Sequence, residues 1–165
     1  MANGWRAGRP FTVCGNGSLP EATANIRRVL PEWTRKYGIA VVNDAGAGDM
    51  QWRDGLKWDV EYRPFDLFPR KHEVASLDVT TETMPPADLI LCRMVLNHLD
   101  DERVVMALAR FRESAKYLAA THFIGGGAQR STQFSRLDLA KWLGEPIEQT
   151  ADGTESNCRL ALWRL

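Results

Sequence analysis

The run Asp44-Ala45-Gly46-Ala47-Gly48-Asp49 carries the densest chemistry in the chain. Glycines let a turn pass close to a ligand, and the free N–H groups opening a following helix can receive it. A dinucleotide-binding G-x-G-x-x-G turn would need its third glycine at position 51, which is Gln51, and this argues against NAD or FAD. An acid just ahead of the first glycine repels pyrophosphate but suits a cationic, amino-acid-bearing cofactor. Asp66 and Asp78 stand at the predicted ends of the next two strands. The first could accept both hydroxyls of a ribose, and the second could accept from the exocyclic amine of adenine. Ligands in open α/β sheets sit at the carboxyl edge, so the three acids should converge on one crevice.

Each of these residues also has a plainer reading. Asp44 and the glycines could form only a tight βα turn, Asp66 could be a surface acid, and Asp78 could cap a turn with Thr80. Their recurrence at matching strand ends favours the crevice. His98, between Leu96 and Leu99 in a predicted helix, is either a packing histidine or a general base. His122 closes the fifth predicted strand, should lie on the edge of the glycine turn, and is the other candidate base. Trp52 could stack on a ligand or pack against the first helix. Cys14, Cys92 and Cys158 lie far apart with no C-x-x-C pair, so they form neither a zinc knuckle nor a disulfide framework and suit a reducing compartment.

The elements that must position these groups are readable from periodicity. Residues 1–17, rich in Gly and Arg, read as an arm, and residues 18–165 as the domain. Ser18 with Glu21 forms a capping box, Pro20 suits a first turn, and Ile26, Val29, Leu30, Trp33 and Tyr37 follow at helical spacing until Gly38. A helix over 19–37 is predicted. A strand over 39–43 then leads through the glycine turn into a helix. Further strands are expected over 59–66, 74–77 and 88–92, the last an unbroken apolar run suited to a central parallel strand. Asp100, Asp101 and Glu102 open a second helix, and a strand over 117–122 follows. The stretch 124–135 reads as a long polar loop, 136–143 as a short helix, and 147–149 with 159–164 as a closing hairpin. The sum is an α/β sandwich with a mostly parallel sheet.

Composition sets the outer limits. The 165 residues fit one domain, with 44% hydrophobic and 25% charged residues as in an ordinary globular protein. The 21 Lys and Arg balance 21 Asp and Glu, which does not favour a dedicated nucleic-acid binder. Arg6, Arg9, Arg27, Arg28, Arg35 and Lys36, with Arg130 and Arg136 in the loop, still permit phosphate contacts. No apolar run reaches the roughly 18 residues of a membrane span, and the first residues lack the apolar core of a signal peptide. A cytoplasmic protein is expected.

The chain resembles the class I S-adenosylmethionine-dependent methyltransferases. The resemblance rests on Val41-Val42-Asn43-Asp44-Ala45-Gly46-Ala47-Gly48-Asp49, then Asp66, Asp78 and the stretch Asp88 to Leu99, and it covers residues 18–165. It implies a Rossmann-like three-layer sandwich with a mostly parallel seven-stranded sheet and a C-terminal antiparallel hairpin. It also implies S-adenosyl-L-methionine as cofactor. Asp44, Gly46 and Gly48, with Asp49 in the same turn, would hold its methionine end, and Asp66 its ribose. Asp78 and Val79 would face its adenine, and Cys92 and Arg93 would line the floor under the sulfonium. The third glycine often found in the family falls at Met50. The amino-methylating subgroup's Asn/Asp-Pro-Pro-Tyr/Phe motif is replaced by Cys92-Arg93-Met94-Val95, which disfavours adenine-N6 or cytosine-N4 methylation of that type. The acceptor, small or macromolecular, is left open, as is enclosure of the site by a second subunit. Cofactor cleavage and a non-catalytic binding module are the rival readings. No metal is expected.

Overall fold

A computed structural model describes residues 14–126, 134–153 and 155–165. The described residues form a seven-stranded sheet in the order β3-β2-β1-β4-β5-β7-β6. Its strands are β1 (Val41–Ala45), β2 (Glu61–Asp66), β3 (Ala75–Ser76), β4 (Ala87–Cys92), β5 (Ala115–Phe123), β6 (Glu148–Ala151) and β7 (Cys158–Arg164). Strands β1 to β5 pair in parallel, and β7 runs antiparallel to both β5 and β6. The helices are α1 (Ala24–Tyr37), α2 (Asp101–Ser114) and the short α3 (Ala140–Leu143). This is the expected three-layer sheet with its closing hairpin. Most of the arm, and much of the polar loop with Arg130, lie outside the described residues.

The central strand shows how the layers are built. Leu89 and Leu91 of β4 point to one face, where Ile26, Leu30 and Trp33 of α1 cover them. Ile90 and Cys92 point to the other, against Val104, Leu108 and Phe111 of α2. Period-2 alternation with both faces apolar is what makes the strand read as an unbroken run. Each fully buried leucine or isoleucine in these layers contributes roughly 1.5–3 kcal/mol.

Helix ends follow local chemistry. The Asp100 carboxylate accepts from the Arg103 backbone N–H at 2.9 Å and caps α2. Gly38 takes the left-handed conformation that ends α1, while Ile39 N–H reaches the Thr34 carbonyl at 2.8 Å. The N-terminus of α1 lies later than residue 19, because Leu19 to Thr23 forms a turn in which the Thr23 hydroxyl bonds back to the Leu19 carbonyl. Two further expectations are corrected. The helix predicted after the glycine turn is only a 3-10 turn, Gln51–Arg53, and His98 sits in another, Leu96–His98.

Nothing lies within 4 Å of a Cβ built on Gly38, so its role is conformational alone. Gly38→Ala should lower unfolding free energy by about 1 kcal/mol, and Gly38→Asn by less, as read by urea denaturation.

Candidate functional site

A cleft of about 400 Å³ opens at the carboxyl ends of β1, β2 and β4. Its base is the glycine turn. Gly46 and Ala47 N–H both donate to the Phe65 carbonyl, at 2.8 and 2.9 Å, which folds the chain sharply off β1. Gly46 has φ 91°, and a Cβ there would lie 2.1 Å from Val95 Cγ2. Gly48 has φ 60°, and a Cβ there would lie 2.6 Å from Cys14 Sγ. No side chain fits at either position without something moving. Met50, where the resembled family often has glycine, holds φ 57°. Burial beside Ala47, Val74 and Tyr62 keeps it in that conformation.

The carboxylate of Asp44, only 1% exposed, closes one end of the cleft. The Tyr62 hydroxyl donates to it, and the Trp52 side chain also stabilises its charge. Burial outweighs these donors and pushes the Asp44 pKa up to about 6. The Tyr62 hydroxyl is pushed up as well, by burial and then by the adjoining charge. Arg53 lies over the Tyr62 ring, 3.9 Å from its centroid, and partly offsets both shifts.

Asp66 lines the cleft from the end of β2. Its Oδ2 accepts from Gly48 N–H at 3.0 Å and its Oδ1 from Phe68 N–H at 2.9 Å. Each oxygen keeps a second lone pair, so the carboxylate is oriented yet still able to accept from a hydroxyl. Arg93, at the end of β4, also faces the cleft, as does the exposed His98, whose ring meets Phe134 edge-on at 5.7 Å.

Asp44, Gly46, Gly48, Asp66, Arg93 and His98 therefore share one cleft, with Trp52 beside them. The other expected residues lie elsewhere. Asp49 is turned into its own loop, where its Oδ1 accepts from Gln51 N–H at 3.2 Å. Asp78 makes the plainer turn: its Oδ1 accepts from Thr80 N–H and Oγ1 at 2.9 and 2.6 Å, which holds its pKa below the usual carboxylate range. Val79 and Cys92 are buried in the core on the α2 face.

His122 needs a correction. Thr121 bonds to Met94 and Asp152 on the face that Ala119 shares with α1, so its neighbour on β5 faces the α2 layer with Ala120. There the His122 ring packs edge-on to Trp163, its Nδ1 accepts from Leu139 N–H at 3.2 Å, and it borders a separate hollow with Asp138 and Glu145. Burial holds its pKa below the ordinary value. Sequence reasoning missed Cys14, Phe68, Arg70 and Phe134 in the cleft wall, since no periodic pattern marks loop residues.

Because the folded pKa of Asp44 exceeds the unfolded value of 3.8, this group destabilises the protein progressively as pH rises from about 4 to about 6. The loss is about 3 kcal/mol. Asp78 and Asp88, whose pKa values are held low, act in the opposite direction. The stability difference between wild type and Asp44→Asn should therefore move by about that amount, in the variant's favour, between pH 4 and 7, as read by paired denaturant titrations.

No protein-family model and no curated protein matches the chain. Solved structures do. The N-methyltransferase NodS of Bradyrhizobium japonicum WM9, in complex with S-adenosyl-L-homocysteine, superposes with TM-score 0.66 at 14% identity, over 88% of each chain. The magnesium protoporphyrin IX methyltransferase ChlM of Synechocystis PCC 6803, with the same ligand bound, gives 0.64 at 14% identity, over 96% of this chain and 90% of that one. The 1,6-didemethyltoxoflavin-N1-methyltransferase of Burkholderia thailandensis gives 0.64 at 18% identity, over 87% and 77%. The chain has the class I S-adenosylmethionine-dependent methyltransferase fold.

Proposed function

We propose that this protein binds S-adenosyl-L-methionine in the cleft and transfers its methyl group to an acceptor. The observation that carries the reading is that two oriented carboxylates, Asp44 and Asp66, flank a glycine turn inside one cleft of this fold. The donor set fits the cofactor's chemistry. A buried carboxylate suits the α-ammonium of the amino-acid end, an oriented carboxylate suits a ribose diol, and the missing side chains at Gly46 and Gly48 suit a close backbone approach.

When bound, the cofactor supplies a methyl group already activated on a sulfonium, so the protein's work is alignment and exclusion of water. Asp44 would hold the methionine end, Asp66 the ribose, and Arg93 would form the floor between them. His98 is the candidate base of this cleft, needed only if the attacking atom must lose a proton. His122, on the opposite layer, has no part in it.

S-Adenosyl-L-homocysteine at about 100 times its dissociation constant should stabilise the protein by roughly 2.7 kcal/mol. NAD should leave the melting temperature unchanged, and Asp66→Ala should lose most of the homocysteine ligand's shift. No shift with that ligand, or an equal shift in Asp66→Ala, would remove the reading. Consumption of the cofactor without any acceptor would instead indicate cleavage.

A further inference from the structure

We propose that the methyl acceptor is a small, uncharged and largely apolar compound, seated in a second cavity of about 220 Å³ that shares Gly17, Arg93 and Met94 with the cofactor cleft. This rests on the reading of the larger cleft as the cofactor site. The shared wall is built with care. Arg93 Nε and Nη2 donate to Asp152 at 3.0 and 2.8 Å, and Nη2 also donates to the Gly17 carbonyl at 2.7 Å. Asp152 accepts in turn from the Thr121 hydroxyl at 3.3 Å, and that hydroxyl accepts from Met94 N–H at 2.8 Å. Met94 is thereby held at φ 57°, a left-handed conformation rare for a side chain of its kind and typical of functional walls.

The class of compound follows from the other walls. Ala22, Phe123 and Cys158 are apolar, and burial pushes the Cys158 thiol up to about 12, so it stays neutral. The charges cancel in pairs: Arg93 with Asp152, and Glu155 with Arg136 at 2.7 Å. An ionic guest would have to be desolvated beside a pair that already satisfies itself, with no unpaired charge among the described lining residues to receive it. Drug-sized ligands occupy pockets of roughly 300–1,000 Å³, so the guest here is smaller, a compact compound presenting its nucleophile toward the Arg93–Met94 wall.

The test is a titration of the full chain, loaded with S-adenosyl-L-homocysteine, with 2-naphthol and its charged counterparts 2-naphthoate and 2-naphthylmethylammonium. Ala22 is half-buried in the turn before α1 and outside the cofactor cleft, so Ala22→Trp fills the second cavity alone. The proposal expects 2-naphthol to bind at least tenfold more tightly than either ion. It also expects Ala22→Trp to weaken 2-naphthol at least tenfold while homocysteine-ligand affinity is unchanged. It is overturned if the loaded protein ignores 2-naphthol, if either ion binds as well, or if Ala22→Trp has no effect. Failure of the wild type to bind S-adenosyl-L-homocysteine is a separate result, which removes the cofactor reading and this proposal with it.

Discussion

A carboxylate buried at the carboxyl end of β1 is the constraint around which the site is assembled. An ion in that position needs donors, and the chain supplies them from separate places: Tyr62 on β2 and Trp52 on the turn after the glycines. Arg53 covers Tyr62, and Arg27 of α1 pins the turn by donating to the Trp52 and Asp54 carbonyls at 2.6 and 2.8 Å. Trp52, Trp58 and Tyr62 pack together as an aromatic group beneath α1. The helix expected there gives way to this cluster, because the space is filled by three large rings and not by a helical face. Even so, the donors do not fully offset the burial of Asp44, and its charge stays under-compensated.

That imbalance gives the cleft its chemical direction. A cationic group brought to Asp44 would relieve a cost that burying this carboxylate carries, which is how strain at a site becomes binding free energy. The far side of the cleft is balanced differently. Arg93 and Asp152 are paired and almost completely buried, and through Thr121 they set the backbone of Met94. One end of the site is thus short of positive charge, while the wall shared with the second cavity is neutral. The two halves of the proposed reaction, a charged cofactor and an uncharged acceptor, match that division.

Much of this was legible in the sequence, and the rest was hidden for definite reasons. The unbroken run at β4, the Gly38 stop and the acidic opening of α2 are local signals, and the fold honours them. The cleft residues Asp44, Gly46, Gly48 and Asp66 were readable because strand ends share one edge of the sheet, and Arg93 only through the family resemblance. His122 was misplaced because a strand's edge was judged without its parity, and one residue decides which layer a side chain enters. Asp78 followed its nearest partner, Thr80, as short polar side chains do in turns. The Arg93–Asp152 pair joins residues far apart in the chain, and no local pattern announces such a contact.

The central claim, that Asp44 holds the α-ammonium of the cofactor's amino-acid end, is tested most directly by calorimetric titration of S-adenosyl-L-homocysteine across pH. If binding requires the ionised carboxylate, with its pKa near 6, affinity should rise roughly tenfold from pH 5 to pH 7 and then level off. In Asp44→Asn that rise should vanish and the affinity should stay low throughout. Equal affinity at both pH values in the wild type, or wild-type affinity in Asp44→Asn, would contradict the account.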